Sequence, residues 1–134
     1  MWEFGHVAVL AASLYRGGEY ATPRAAWDAA AARLLATASL RLKNCPRATF
    51  LSLCQAGMIR GIRAGRYTRA KENREHALYA VELLAERPSL SSSEPDHLWS
   101  MVIDGADTAH NDQMHVVLSL WNRGLILPNT GCAR

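Results

Sequence analysis

Two segments of this chain match each other at a fixed separation, and that internal likeness restricts the folds open to it. The segment 51–59 reads LSLCQAGMI, and the segment 118–126, which lies 67 residues further on, reads LSLWNRGLI. Pro23 and Pro95, which are 72 residues apart, each precede a tryptophan by four positions. Matches in the same order at nearly equal shifts are typical of a duplicated unit. The alternative is that unrelated helices reuse the same starting and ending residues.

Apolar residues at helical spacing predict six helices, and strand alternation is nearly absent. The predicted starts are near Phe4, Pro23, Asn44, Thr68, Ser93 and Asn111. Residues that end helices follow four of them, at Gly17, Gly57, Pro88 and Gly124. Thr22, Asn44, Ser93 and Asn111 are predicted N-caps, and a short extended piece is expected near 58–62. We therefore predict an all-α fold of six helices, arranged as a duplicated three-helix unit with pseudo-twofold symmetry.

The length of the chain, 134 residues, fits one helical domain. We assign residues 1–127 to that domain, with repeat A at about 4–59 and repeat B at about 72–126. A basic connector, residues 60–71, joins the two repeats. Residues 128–134 carry no pattern and are expected to form a frayed tail.

Cysteine usage and hydropathy exclude several classes of protein. The three cysteines are scattered and form no CxxC pair, so neither a disulfide framework nor a zinc site is expected. No apolar run approaches the roughly 20 residues that span a bilayer, and residues 1–3 do not open a secretion signal. We expect a soluble cytoplasmic protein with no membrane contact, no metal and no cofactor.

Three runs of residues, taken together, resemble a known family. They are Cys45-Pro46, Phe50-Leu51, Cys54 and Gly57; then Gly65, Tyr67-Thr68, Asn73 and Ala77; and then Asn111, Gln113-Met114, Val117, Leu120-Trp121 and Gly124-Leu125-Ile126. From about Phe4 to Ile126 the chain resembles an uncharacterised family of small bacterial proteins, a domain of unknown function. The resemblance implies a soluble helical domain. It implies no activity, substrate or catalytic residue.

Positive charge is concentrated in the first half of the chain. Residues 1–71 contain eleven Lys or Arg and three Asp or Glu, whereas residues 72–134 contain four and nine. Thirteen of the fifteen cations are arginine, whose planar fork pairs with phosphate or carboxylate through two hydrogen bonds. The basic half therefore points to an anionic partner, although an arginine-biased genome would give the same composition without one.

The basic connector has no counterpart in repeat B, and it carries the residues best suited to an anion. Glycine recurs there every four residues, which lets backbone N–H groups approach a ligand closely, and arginines lie between the glycines. Arg69 and Lys71 are expected in the first turn of the fourth helix, where a cation opposes the helix dipole unless an anion binds there. The predicted anion-binding residues are Arg60, Arg63, Arg66, Tyr67, Thr68, Arg69 and Lys71.

These features predict a non-enzymatic binding or adaptor module that holds an anionic partner on the basic connector. The partner would be a nucleic-acid backbone, a phosphorylated ligand or an acidic protein surface. Two alternatives stay open for the same arginines: they form a solvated face, or they pair with the acidic half of the chain. Pairing between chains would make the molecule a self-associating structural protein, for example a homodimer.

The rival hypothesis from another class is a small enzyme. Asp112 and His115 are three residues apart, so on a helix they would share a face and could act as an acid–base pair. His110 lies five residues before His115, and the chain has no HExxH or HxxxH pattern for a metal. Helix capping by Asn111 and a dipole contact by Asp112 would explain the same residues without catalysis. We assign no catalytic residue.

Overall fold

The computed structural model describes residues 2–127, and the regular structure in that range is helical. The α-helices are α1 (Glu3–Arg16), α2 (Pro23–Leu34), α3 (Ala38–Arg41), α4 (Asn44–Gln55), α5 (Glu72–Glu86), α6 (Pro95–Ile103) and α7 (Gln113–Asn122), and a 3-10 helix covers Pro88–Ser92. The predicted all-α fold is confirmed, with six longer helices and α3 as a single added turn. The proposed frayed tail lies outside the described residues.

Local sequence signals account for the start of α2. Thr22 has an extended backbone, and its Oγ1 accepts a hydrogen bond from the N–H of Ala25 at 3.1 Å. Pro23 occupies the first helical position, where the missing N–H leaves no intrahelical bond unmade. The predicted cap at Thr22 is therefore confirmed.

The C-terminal ends of α4 and α7 have the same hydrogen-bonding pattern. Gly57 and Gly124 both adopt left-handed backbones, with φ of 76° and 72°. The residue after each glycine donates its N–H to the carbonyl five residues earlier, at 3.0 Å in both helices. This is the Schellman motif, which glycine favours because a Cβ is unfavourable at positive φ.

The segments after these two helices pair with each other. Ile59 and Ile126 form an isolated antiparallel bridge. The N–H of Arg60 donates to the carbonyl of Leu125 at 2.8 Å, and the N–H of Leu127 donates to the carbonyl of Met58 at 2.7 Å. The two hydrogen bonds are equivalent in the proposed repeats, because the donors, Arg60 and Leu127, are 67 residues apart and so are the acceptors, Met58 and Leu125. Of the extended piece expected near 58–62, the structure has only the bridge at Ile59, since residues 60–61 form a turn. The pairing is what a pseudo-twofold axis would produce, while the duplication itself stays a prediction.

The helices pack across the two proposed repeats. α1 packs on α2 and on α7, and α5 packs on α4. The first helix of each proposed repeat thus packs on the last helix of the other, and α1 also packs closely on α2 of its own repeat. A single cluster of buried apolar residues runs from Phe4 to Ile126, and the rings of Trp27 and Phe50 meet in it with centroids 5.3 Å apart.

The start of α5 corrects one prediction. The helix begins at Glu72 rather than near Thr68, so Arg69 precedes it and Lys71 is its N-cap residue. The cause is local, because the Oγ1 of Thr68 accepts the N–H of Ala70 at 3.1 Å and so competes with helix formation. The first turn carries glutamates that suit the helix dipole. The prediction that Arg69 and Lys71 lie in the first turn of this helix is therefore wrong, and the anion site inferred from cations in that turn loses this support.

Three predicted side-chain caps are also wrong. The N-cap positions of α4 and α6 are Lys43 and Glu94, and neither makes a side-chain cap bond, so Asn44 and Ser93 do not cap these helices. Asn111 lies before the N-cap position of α7, and its own N–H donates to the Oε1 of Gln113 at 2.6 Å. The N–H of Met114, which an N-cap at Asn111 would have bound, donates instead to the Nε2 of His110 at 3.0 Å.

No helix in residues 2–127 has the length and apolar character needed to cross a bilayer. A cytoplasmic location and the absence of membrane contact stay predictions.

Candidate anion-binding site

A groove of about 680 Å³ opens where the basic connector crosses the surface beside α2 and α4. Its lining residues are Arg24, Gln55, Arg66, Tyr67, Thr68 and Arg69. Four of the seven predicted anion-binding residues therefore line one concave surface. The other two side chains come from the helices on either side.

Gln55, at the end of α4, holds the connector against the helix. Its Oε1 accepts two backbone N–H groups, from Tyr67 at 2.9 Å and from Thr68 at 3.1 Å. Its backbone carbonyl also accepts the N–H of Gly65 at 3.4 Å. One half-buried amide thus holds the segment between Arg66 and Arg69 in an extended shape.

Tyr67 fixes the connector from the other side. Its hydroxyl donates to the carbonyl of Arg63 at 2.7 Å, and a Cβ added to Gly65 would lie 2.9 Å from its ring. Burial raises the pKa of Tyr67, and the neighbouring Tyr15 raises it further. The phenol is therefore neutral at physiological pH, and Tyr67 shapes the groove as a hydrogen-bond donor.

Three guanidinium groups face this groove without a carboxylate partner. Arg24, Arg66 and Arg69 are exposed, and none of them takes part in an ion pair with any residue between 2 and 127. Arg24 is fixed in place because its Nη2 donates to the carbonyl of Tyr67 at 3.0 Å. The groove is therefore a concentration of positive charge that the described part of the chain does not neutralise.

The remaining predicted residues lie elsewhere. Arg60 directs its Nε to the carbonyl of Gly124 at 3.2 Å. Arg63 is exposed and contributes its backbone carbonyl to Tyr67, and Lys71 occupies the N-cap position of α5 without a side-chain cap bond. None of these three lines the groove.

Sequence reasoning missed Arg24 and Gln55. Arg24 could have been identified from the sequence, because it is a cation in the first turn of α2. That turn contains no acidic residue, so an anion could bind there. Gln55 carried no sequence signal, since its role depends on a connector that returns to α4 ten residues later.

The structure also brings Asp112 and His115 together. The Nδ1 of His115 lies 3.5 Å from the Oδ1 of Asp112, and the Nζ of Lys43 lies 2.5 Å from the Oδ2 of Asp112. His115 belongs to a row of aromatic rings with centroid separations of 5.0–5.4 Å, in the order Trp2, His115, His110, Trp99 and His76. The three middle rings are stacked, and the two outer rings meet them edge-on.

His110 is engaged through both ring nitrogens. Its Nδ1 lies 2.8 Å from the Oδ1 of Asp96, and its Nε2 accepts the N–H of Met114 at 3.0 Å. By accepting this backbone N–H in the first turn, His110 caps the start of α7. Among residues 2–127, no three His, Cys, Asp or Glu side chains group as a metal site.

Burial lowers the pKa of His115 below its ordinary value of 6.5, with Asp112 opposing this shift and His110 adding to it. The unfolded chain therefore binds this proton more readily than the folded chain, and folding free energy is lost as the pH falls below 6.5. We expect urea unfolding to show stability decreasing between about pH 6.5 and 5, and His115→Gln to remove part of that decrease. His97→Gln, at an exposed histidine, is the matched control. An unchanged pH profile in His115→Gln would contradict this assignment.

Comparison with known proteins gives a family and no activity. No curated protein and no solved structure matches the chain. A family model described as a family of unknown function, DUF6979, matches residues 1–127. This match agrees with the resemblance seen in the sequence, and the chain belongs to the DUF6979 family.

Proposed function

We propose that this protein is a non-enzymatic binding module that holds a phosphate-bearing ligand in the groove between α2, α4 and the basic connector. The observation that carries the proposal is the set of Arg24, Arg66 and Arg69 around one concave surface without an ion-pair partner among residues 2–127. Guanidinium groups bind phosphate through paired hydrogen bonds.

The groove is also organised before any ligand arrives. Gln55 and Arg24 fix the connector backbone through three hydrogen bonds, to Tyr67 and Thr68. A ligand therefore does not have to order the loop, and less binding free energy is spent on conformational entropy. This favours a binding site over a solvated arginine face, whose side chains would need no such support.

The experiment measures the binding of a fluorescent random-sequence single-stranded oligonucleotide and of pyrophosphate at several salt concentrations. We expect binding at about 50 mM salt that weakens as salt rises. For the oligonucleotide, Arg66→Gln with Arg69→Gln should reduce the slope of log K against log salt by about 1.4, since each phosphate contact contributes about 0.7. The matched control is Arg87→Gln with Arg123→Gln, which removes the same charge at exposed positions outside the groove.

The two probes separate the two sources of phosphate. Binding of pyrophosphate alone indicates a small phosphorylated ligand, and binding of the oligonucleotide with the predicted slope indicates a nucleic-acid backbone. If neither probe binds, or if the control variant lowers the slope as much as the groove variant, the proposal is wrong.

The enzyme hypothesis has less support from the geometry. Asp112 contacts both Lys43 and His115, and the Nε2 of His110 accepts the N–H of Met114. These groups make contacts that stabilise the start of α7. We therefore retain binding as the proposed function.

A further inference from the structure

We propose that this chain associates with a second copy of itself, through a leucine patch on one copy and an acidic face of α5 on the other. The leucine patch consists of Leu34, Leu40 and Leu42. The acidic face consists of Glu72, Glu75, Tyr79, Glu82 and Glu86. This inference does not depend on the groove proposed above.

The leucine patch is an unusual concentration of exposed apolar surface. Leu42 is 80% exposed, Leu34 43% and Leu40 39%, and they are three of the five large exposed hydrophobic residues between positions 2 and 127. All three lie within the nine residues from 34 to 42. Clustered exposed apolar residues are typical of protein–protein contact sites, whereas scattered ones are ordinary.

Two arginines are adjacent in sequence to the residues of the leucine patch. Arg33 and Arg41 are exposed and form no ion pair within residues 2–127. The Nε of Arg41 donates to the carbonyl of Leu35 at 2.9 Å, which holds its guanidinium beside the end of α2. A partner for this surface should therefore combine an apolar group with carboxylates.

A cavity next to the leucine patch is suited to an aromatic ring. Its volume is about 250 Å³, and its lining includes Ala31, Leu42, Arg41 and the ion pair between Arg47 and Asp28. Apolar contacts and guanidinium planes are the surroundings in which a tyrosine ring packs well. The ion pair also offers hydrogen-bond partners for a phenol hydroxyl.

The acidic face of α5 has the matching chemistry. Its five residues follow each other at intervals of three or four, so they form one stripe along the helix. All five are exposed, and none is in an ion pair within the described chain, while the opposite side of α5 is buried in the core. Tyr79, 42% exposed, stands in the middle of the stripe with glutamates on both sides.

These surfaces fit a single arrangement. Tyr79 of one copy inserts into the cavity beside Leu42 of the other, and Glu75 and Glu82 meet Arg33 and Arg41. Interface hot spots are enriched in tyrosine and arginine, which pack in desolvated pockets near the centre of the contact. Because the two surfaces differ, copies either exchange them reciprocally in a closed dimer or add in one direction to a larger assembly.

The test is the molar mass in solution, measured by light scattering after gel filtration of nucleic-acid-free protein at low salt. We expect a mass above that of the monomer, which rises with concentration and returns to the monomer near 1 M salt, where the Debye length is about 3 Å. Tyr79→Ala should weaken association about 30-fold. A wild-type protein that stays monomeric at all concentrations would overturn the proposal.

Charge reversal identifies the surfaces. Arg33→Glu with Arg41→Glu should be monomeric, and Glu75→Arg with Glu82→Arg should also be monomeric, since each variant opposes like charges. A mixture of the two variants should associate again, because the reversed patch of one then faces the reversed helix of the other. Association that persists in both separate variants, or that fails in the mixture of folded variants, would assign the contact to another surface.

A variant of the anion-binding groove distinguishes self-association from the binding of a phosphate-bearing ligand. Arg66→Gln with Arg69→Gln should associate like the wild type, since neither residue lies in the leucine patch or on α5. Thermal unfolding checks that every variant is folded.

Discussion

Replacing Gly5 by alanine is expected to destabilise the fold by about 3 kcal/mol or more, by forcing α1 away from α7. A Cβ at this position would lie 1.9 Å from the Oγ of Ser119 and 2.8 Å from the backbone carbonyl of His115. The hydroxyl can rotate away, but the carbonyl belongs to a helix and moves only with it. The ordinary gain of about 1 kcal/mol for alanine over glycine in a helix is too small to offset this clash.

The midpoint and slope of urea unfolding measure the effect. Gly17→Ala is the matched control, because its added Cβ would come no closer than 3.4 Å to its nearest contact, the backbone carbonyl of Leu14, and its φ of −72° suits any residue. Ser119→Gly should restore part of the stability of Gly5→Ala, since it removes the side-chain part of the clash. If Gly5→Ala unfolds at the same urea concentration as Gly17→Ala, the close approach of α1 and α7 is wrong.

Replacing His110 by alanine is expected to destabilise the protein by about 2–4 kcal/mol. The side chain is only 10% exposed, and it provides the acceptor for the N–H of Met114 at the start of α7. Loss of a helix cap costs about 0.5–2 kcal/mol. His110 also stacks between Trp99 and His115, and each aromatic pair contributes about 0.5–1.5 kcal/mol.

Two further variants separate these contributions. His110→Gln retains a polar acceptor of similar reach and loses the ring, so its stability should lie between that of the wild type and that of His110→Ala. His97→Ala, at an exposed position in α6, should cause little change. Equal unfolding midpoints for His110→Ala and His97→Ala would show that His110 does not cap α7.

The parts of the fold that the sequence predicts well are those with a local physical cause. Thr22 and Pro23 define the start of α2, and Gly57 and Gly124 define the ends of α4 and α7, because each acts on the backbone within one turn. Apolar spacing identified the six longer helices for the same reason. The nature of the cap of α7 could not be predicted, since a histidine four residues from its target is not a recognised capping pattern.

In the candidate site, too, residues with a local sequence signal could be predicted and residues placed by distant contacts could not. Arg66 and Arg69 were selected because the connector concentrates arginines, and both line the groove; Arg60 was selected for the same reason, but its Nε donates to the carbonyl of Gly124 and it does not line the groove. Gln55 could not be found, because its contacts with Tyr67 and Thr68 arise only after the connector folds back on α4. Contacts between distant segments carry no local sequence signal.

Because α1 packs on α7 and α5 packs on α4, the two halves of the chain share one core and are not separate domains. A cut within residues 60–71 would yield two peptides, each without a helix of the other half on which its own first helix packs. Neither peptide can complete a core by itself, however alike their sequences are. The two would regain their shape only by binding each other, so a nick in this exposed segment would leave a two-chain complex in place of two independent domains.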